Sequence, residues 1–131
     1  MQISPEPQVM VPSAALACLS EGVFRVRTLD EARDTASMLA HLCPLPEVVA
    51  FGLTELMINA VEHGNLGITF EEKSALCRED RWQSEVEERL ELPGNRQKRV
   101  EIRVRRIAGS VEFVIADDGR GFDWRDRKSV V

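Results

Sequence analysis

Three polar side chains in one apolar segment have the types and spacing to do chemistry together. Glu55, Asn59 and His63 are four residues apart, so in an α-helix they form one nearly vertical stripe. The surrounding residues are apolar, which predicts that much of the helix circumference is buried. A buried carboxylate or amide needs a polar partner, and a ligand cavity would supply one. The alternative interpretation is an amphipathic helix whose polar stripe faces solvent.

The chemistry of this stripe is specific to its residue types. A glutamate serves as a general base or holds a water molecule. The carbonyl oxygen of an asparagine is a hard ligand, of the kind that Mg²⁺ prefers. The stripe therefore predicts acid–base or magnesium-assisted chemistry if it faces a ligand.

A second motif follows an apolar segment that is typical of a strand. Asp117 ends that segment, and Gly119, Gly121 and Phe122 come shortly after it. Glycines let the backbone approach a flat ligand closely, and an aspartate at a strand end accepts hydrogen bonds from an exocyclic amine. The alternative is an ordinary turn, since Asp-Gly pairs are common there. The motif is neither the three-glycine dinucleotide fingerprint nor a P-loop.

Taken together, the two motifs resemble those of one superfamily. Residues 55–65, Glu-Leu-Met-Ile-Asn-Ala-Val-Glu-His-Gly-Asn, resemble the N box of the GHKL ATPases, which include gyrase and the histidine kinases. Residues 117–122, Asp-Asp-Gly-Arg-Gly-Phe, resemble the first glycine box of these proteins. The resemblance covers residues 20–124. No phosphoacceptor-helix pattern is present, so the chain looks most like the anti-sigma factor serine kinases.

For the phosphate end of a nucleotide, the resemblance implies three roles. Glu55 would be the general base or would position its water. Asn59 would bind the Mg²⁺ that bridges the phosphates of ATP, and His63 would lie near those phosphates. ATP and Mg²⁺ are therefore the expected cofactors.

For the adenine end, the resemblance implies three further roles. Asp117 would bind the exocyclic amine of the base, and Gly119 and Gly121 would leave room for the backbone beside the base and ribose. The phosphate acceptor would be a serine of a partner antagonist protein. Through that partner, the kinase would control a sigma factor or another signalling protein.

The chain departs from the family pattern after this second motif. It ends ten residues after Gly121, with no second glycine motif and no lid over the triphosphate. We therefore expect a C-terminally truncated ATPase domain. The alternative function is a non-catalytic module that has lost the phosphate-binding lid and sequesters its partner by affinity alone. A fragment of a histidine kinase is less favoured, because only about 20 residues precede the first strand.

The elements that must position these motifs can be predicted from periodicity and capping signals. A strand is expected over Val23–Thr28, then a helix capped by Thr28 or Asp30. After the Pro44-Leu45-Pro46 break, a mostly apolar helix is expected over Glu47–His63.

The second half of the chain gives a charged helix and a hairpin. A capping box at Thr69 and Glu72 opens a helical stretch that extends to about Leu90. Two strands then follow, joined by a turn at Ala108–Ser110. This order predicts an α+β fold, a two-layer sandwich of helices on a mixed, mainly antiparallel sheet. Residues 1–20 are expected to be a loosely packed segment and residues 21–131 the ATPase-like domain.

Composition limits the remaining function classes. The chain has 131 residues and a net charge of −5, which argues against general binding of nucleic acid or anionic membranes. It has neither a secretory signal nor a segment of about 20 apolar residues. Three widely spaced cysteines indicate reduced thiols and a cytoplasmic protein. The open edge of a truncated sheet favours a homodimer slightly over a monomer.

Overall fold

A computed structural model describes residues 14–119 and the backbone of residues 128–130. Helices cover one face of an antiparallel sheet, so the predicted α+β sandwich is confirmed. In chain order the elements are β1 (Glu21–Val26), α1 (Leu29–Ala40), α2 (Pro46–Asn59), a π-helical turn (Ala60–Asn65), α3 (Phe70–Arg78), α4 (Trp82–Leu90), β2 (Val100–Ile107), β3 (Ser110–Asp117) and β4 (Lys128–Val130). A short 3-10 turn at Leu16–Cys18 precedes β1.

The sheet has the strand order β1-β2-β3-β4. Every neighbouring pair of described strands is antiparallel. The mixed sheet that was predicted would also contain a parallel pair, and the described strands form none. The predicted hairpin turn joins β2 to β3. Its two central residues, Ala108 and Gly109, have φ values of 42° and 86°, as the tightest hairpin turns require.

The helix-facing side of the sheet carries the core. Alternate residues of the hairpin are buried there, as period-two strands require: Val100, Ile102, Val104, Val111, Phe113 and Ile115. Helix α1 contributes Leu39, and α2 contributes Leu53 and Met57, all of which are fully buried. Leu19, in the segment predicted to be loosely packed, also packs against this core.

Thr28 is the residue that caps α1. Its hydroxyl accepts a hydrogen bond from the Glu31 N–H, and the Glu31 carboxylate accepts from the N–H groups of Arg27 and Thr28. These contacts, above all the Arg27 N–H, hold the pKa of Glu31 below its usual value. Strand β1 ends at Val26, two residues before the predicted end. The backbone N–H groups of Arg27 and Thr28 donate to the Glu31 carboxylate of the capping box instead of to a neighbouring strand.

The prediction that much of this helix is buried is confirmed, although one side of it is exposed. Leu53 and Met57 are buried, and Val49 and Leu56 are half-buried and pack against the core. Three residues in the continuation of the helix are buried as well: Ala60, Val61 and Glu62. On the exposed side, Val48 and Phe51 are 67% and 73% exposed. The α-helical part of α2 ends at Asn59, four residues before the predicted end, and continues as the π-helical turn.

The charged stretch after residue 69 forms two helices rather than one. The predicted capping box of Thr69 and Glu72 is present at the start of α3. The break lies at Asp80, whose φ of 55° is left-handed and cannot continue a right-handed helix. The second helix, α4, packs on the core through Val86 and Leu90, which are buried.

All three cysteines lie in the described range and are free, as expected of reduced thiols. Cys18 and Cys77 are exposed, whereas Cys43 belongs to the core. Burial raises the pKa of the Cys43 thiol. Within residues 14–119, no helix is long and apolar enough to cross a membrane.

The contrast between two phenylalanines tests this packing. Phe113 is fully buried, whereas Phe51 is 73% exposed. We expect Phe113→Ala to lower the free energy of unfolding by about 3–5 kcal/mol, because it removes buried surface and leaves a cavity. Phe51→Ala, the matched control, should change it by less than about 0.5 kcal/mol. Urea denaturation measures both, and equal losses would contradict this assignment of the core.

Candidate functional site

The polar stripe predicted from spacing is only partly exposed. Glu55 and Asn59 lie one turn apart on the exposed side of α2. Neither side chain forms a hydrogen bond with any other described residue. The inference that these groups need a ligand because they are buried is therefore wrong. Both side chains remain accessible to a ligand. Their exposure also fits the alternative interpretation, in which the polar stripe faces solvent.

His63 is held by the segment that follows the π-helical turn. Its Nδ1–H donates to the carbonyl oxygen of Ile68, and its ring stacks on Phe70 at a centroid distance of 3.9 Å. The other ring nitrogen, Nε2, is buried and has no hydrogen-bond partner among the described residues. The predicted phosphate neighbour is thus packed, unlike Glu55 and Asn59.

An ion pair between a buried glutamate and a half-buried lysine next to this histidine was not predicted from the sequence. Glu62 is only 1% exposed, and its carboxylate accepts a hydrogen bond of 2.7 Å from Lys73 Nζ. The ammonium group of Lys73 also lies 4.7 Å from the centroid of the Trp82 ring, within cation–π range. Removing Lys73 would leave a buried carboxylate without a counter-ion, which is strongly destabilising. The sequence signal that indicates burial of Glu62 is its position directly after two apolar residues, Ala60 and Val61.

The last residue of the first motif bonds directly to the second motif. Asn65 is 4% exposed, and its side-chain Oδ1 accepts a hydrogen bond of 2.7 Å from the Asp118 N–H. Its backbone carbonyl accepts from Lys98 Nζ at 3.1 Å. Asp118 in turn accepts from the N–H of Arg99, at the start of the hairpin. The structure therefore joins two motifs that are more than 50 residues apart in sequence.

Two glycines allow this close approach. A Cβ atom on Gly119 would lie 2.2 Å from the carbonyl oxygen of Gly64, and a Cβ on Gly64 would lie 2.4 Å from Cγ of Asp117. Real Cβ atoms do not come so close to other atoms. The N–H of Gly119 also donates to Asp117 Oδ1 at 2.8 Å. We call this contact of Gly64, Asn65, Asp117, Asp118 and Gly119 the glycine junction.

Arg89 fixes the loop beside the glycine junction. Its guanidinium donates to Glu85 at 2.8 Å, to Glu72 at 2.7 Å and to the carbonyl oxygen of Leu66 at 3.4 Å. The bond to Glu85 is the main reason that the pKa of Arg89 is raised. The pKa of Glu72 is lowered, first by the Thr69 N–H and then by Arg89. Arg89 thus ties α3 and α4 to the end of the π-helical turn.

Of the residues predicted to contact the nucleotide, the structure brings His63, Asp117 and Gly119 close to this junction or into it. Gly121, predicted to lie beside the ribose, is outside the described residues. Within residues 14–119, no group of three or more His, Cys, Asp or Glu side chains could hold a metal ion.

The exposed arginines of β2 are paired with acidic side chains. Arg103 donates to Glu101 at 3.1 Å, and Arg105 donates to Glu112 at 2.8 Å. Both arginines lie on the exposed face of the sheet, where each has a carboxylate partner. This arrangement favours the simpler interpretation, a solvated face of mixed charge.

Comparison of the chain with protein-family models, curated proteins and solved structures found no match.

The glycine junction can be tested by adding single methyl groups. We expect Gly119→Ala to lower the free energy of unfolding by about 1–3 kcal/mol, because the backbone must move away from Gly64. Hydrogen exchange of the Asp118 amide should become faster at the same time. Urea denaturation and amide exchange measure the two effects.

The matched control is Gly52→Ala, in the middle of α2. A Cβ at Gly52 would meet no atom within 4 Å, so alanine should stabilise the helix by about 0.5–1 kcal/mol. A Gly119→Ala protein that keeps wild-type stability and a protected Asp118 amide would show that the junction is not tightly packed.

Proposed function

We propose that the chain is an ATP-binding regulatory protein similar to the anti-sigma factor serine kinases of the GHKL superfamily. It would phosphorylate a serine of a partner antagonist protein and so control a sigma factor or another signalling partner. The hydrogen bond between Asn65 and Asp118 carries this proposal. It joins the two segments whose resemblance to nucleotide-binding boxes suggested the function.

The adenine end of the site rests on Asp117. Its carboxylate is half-buried, and Oδ1 is oriented by the N–H of Gly119. An oriented carboxylate accepts hydrogen bonds only, so it suits the exocyclic amine of adenine. The absence of side chains on Gly64 and Gly119 lets the two backbone segments pack directly against this carboxylate.

The phosphate end rests on Glu55 and Asn59. These two exposed residues lie one helical turn apart, and their side-chain oxygens are hard donors that fit the chemistry of Mg²⁺. Bound Mg²⁺ would neutralise charge on the transferring phosphoryl group. Asn59 would hold the ion, and Glu55 would accept the proton of the attacking serine hydroxyl. His63 would lie near the phosphates, with Nε2 as its remaining ring nitrogen.

A second candidate function has one observation in its favour. Leu45, Val48 and Phe51 are 68%, 67% and 73% exposed at the start of α2. Exposed apolar side chains that are close together mark interaction surfaces. The chain would then be a non-catalytic module that sequesters its partner protein by affinity alone.

Isothermal titration of Mg-ATP into the full chain tests nucleotide binding. We expect Asp117→Asn and Asn59→Ala each to weaken binding about tenfold or more, which corresponds to about 1.4 kcal/mol. The loss in Asn59→Ala should disappear when EDTA removes Mg²⁺, because this residue acts through the ion. The loss in Asp117→Asn should persist in EDTA.

Two exposed residues outside the site provide matched controls. Asp34→Asn and Gln97→Ala make comparable changes at exposed positions and should bind within twofold of the wild type. A folded wild-type chain that binds no Mg-ATP would contradict the nucleotide proposal and favour the sequestering module. Equal losses in the controls and the site variants would contradict the assigned residues.

A further inference from the structure

An apolar surface on α2 faces solvent in the described part of the chain. Val48 and Phe51 are 67% and 73% exposed, and they are three residues apart, so their side chains are neighbours on the helix. Leu45, the residue directly before the helix, is 68% exposed. Neighbouring apolar side chains on a surface mark a binding site for a partner. The residues around them indicate which kind of partner this surface fits.

Gly52 opens a depression in the middle of this surface. Residues i, i+3, i+4 and i+7 of a helix bound a hole into which one side chain of a second helix inserts. On the exposed side of α2 those four residues are Val48, Phe51, Gly52 and Glu55, and we call the space between them the Gly52 hole. A Cβ on Gly52 would meet no atom within 4 Å. The hole therefore fits a large apolar side chain that projects from a partner helix.

Both charged residues of α2 are acidic, and both flank this surface. Glu47 and Glu55 are exposed, and they lie four residues before and four residues after Phe51. Neither forms an ion pair with another described residue. The complementary surface is therefore apolar in its middle and basic at its sides.

These charges disfavour the other common occupants of an apolar surface. A second copy of α2 would bring carboxylates against carboxylates, which is destabilising. Anionic membranes and nucleic acids would be repelled by Glu47 and Glu55 for the same reason. An extended segment binds to the open edge of a sheet, whereas a helix binds to an apolar groove through its side chains. A basic amphipathic helix meets all of these conditions.

We propose that the exposed side of α2 binds an amphipathic helix of a partner protein, whose apolar side is flanked by arginine or lysine. A large apolar side chain of that helix inserts into the Gly52 hole beside Val48 and Phe51. The basic side chains pair with Glu47 and Glu55. The proposal rests on the second candidate function, the sequestering module, for which it names the chemistry of the partner. It does not require nucleotide binding.

A helix bound in this way also covers part of the proposed phosphate end. Glu55 bounds the Gly52 hole, and Asn59 lies one turn further along the same side of α2. A basic residue paired with Glu55 occupies the carboxylate that would otherwise accept the proton of a serine hydroxyl. Binding of the helix and phosphoryl transfer would therefore exclude each other at this surface.

Binding of designed peptides to the full chain tests this surface. The probe is a fluorescein-labelled, alanine-based peptide of about 16 residues, long enough to form a helix, with leucines on one side and arginines flanking them. Two matched peptides carry alanine in place of the leucines or glutamate in place of the arginines. We expect the first peptide to bind, and each replacement to raise the dissociation constant about tenfold or more. Fluorescence anisotropy measures all three.

Variants of the chain test the Gly52 hole. Gly52→Leu fills it and should raise the dissociation constant of the arginine peptide about tenfold or more, without loss of stability, because the new Cβ has space. Phe51→Ala should weaken binding to a similar extent. Gly94→Leu and Leu92→Ala are the matched controls, at an equally unobstructed glycine and another exposed apolar residue. Both should bind within about twofold of the wild type.

A charge reversal tests the pairing at the side of the surface. Glu55→Lys should raise the dissociation constant of the arginine peptide about fivefold, the size expected for one exposed pair. The same variant should bind the glutamate peptide more tightly than the wild type does, because the pair is then attractive. Glu88→Lys reverses an exposed charge on α4 and should change neither value.

Three results would overturn the proposal: no binding of the arginine peptide, undiminished binding by Gly52→Leu, or equal affinities for the arginine and glutamate peptides. A fourth is an oligomer in sedimentation that Phe51→Ala dissociates, because it would assign the surface to a second copy. A parallel titration with Mg-ATP separates this proposal from the nucleotide site. Loss of peptide binding alone contradicts the helix surface, and loss of Mg-ATP binding alone contradicts the nucleotide site. Binding of both would support the surface and favour the kinase over the non-catalytic module.

Discussion

The close approach of the π-helical turn to the end of β3 is the constraint on which the rest of the site depends. Gly64 and Gly119 must both lack a side chain, because a Cβ on either would overlap atoms of the other segment. The same approach buries Asn65 and lets it accept the Asp118 N–H. A buried amide that is paired in this way stabilises the contact, whereas an unpaired one would oppose it.

Several other interactions keep the π-helical turn in position. Lys73 neutralises the buried Glu62, and Arg89 holds the carbonyl oxygen of Leu66. Both cations come from α3 and α4, the charged helices that lie between the two motifs in sequence. The desolvation of Lys73 is offset by its hydrogen bond to Glu62 and its contact with the Trp82 ring, and that of Arg89 by three hydrogen bonds. These helices therefore support the site although they contribute no predicted site residue.

Local signals in the sequence predicted most of the helices and strands, but not which of their side chains are exposed or which distant residues they contact. The capping box at Thr69 and the turn at Gly109 depend on neighbouring residues, so residue type and periodicity were sufficient to predict them. The start of α1 was predicted too, although the sequence left its cap open between Thr28 and Asp30. The exposure of Phe51 was not predictable in this way, because it depends on which side of α2 meets the sheet. The role of Asn65 likewise depends on a partner more than 50 residues away. Spacing identified the two motifs, but not the hydrogen bond that joins them.

We propose that the two motifs form one nucleotide site across the glycine junction. An NMR titration of the full ¹⁵N-labelled chain with Mg-ATP tests it most directly, because each amide is observed separately. We expect the side-chain amide of Asn59 and the backbone amides of Asp118 and Gly119 to shift together, with one dissociation constant. Shifts confined to one motif, or none in either, would contradict it.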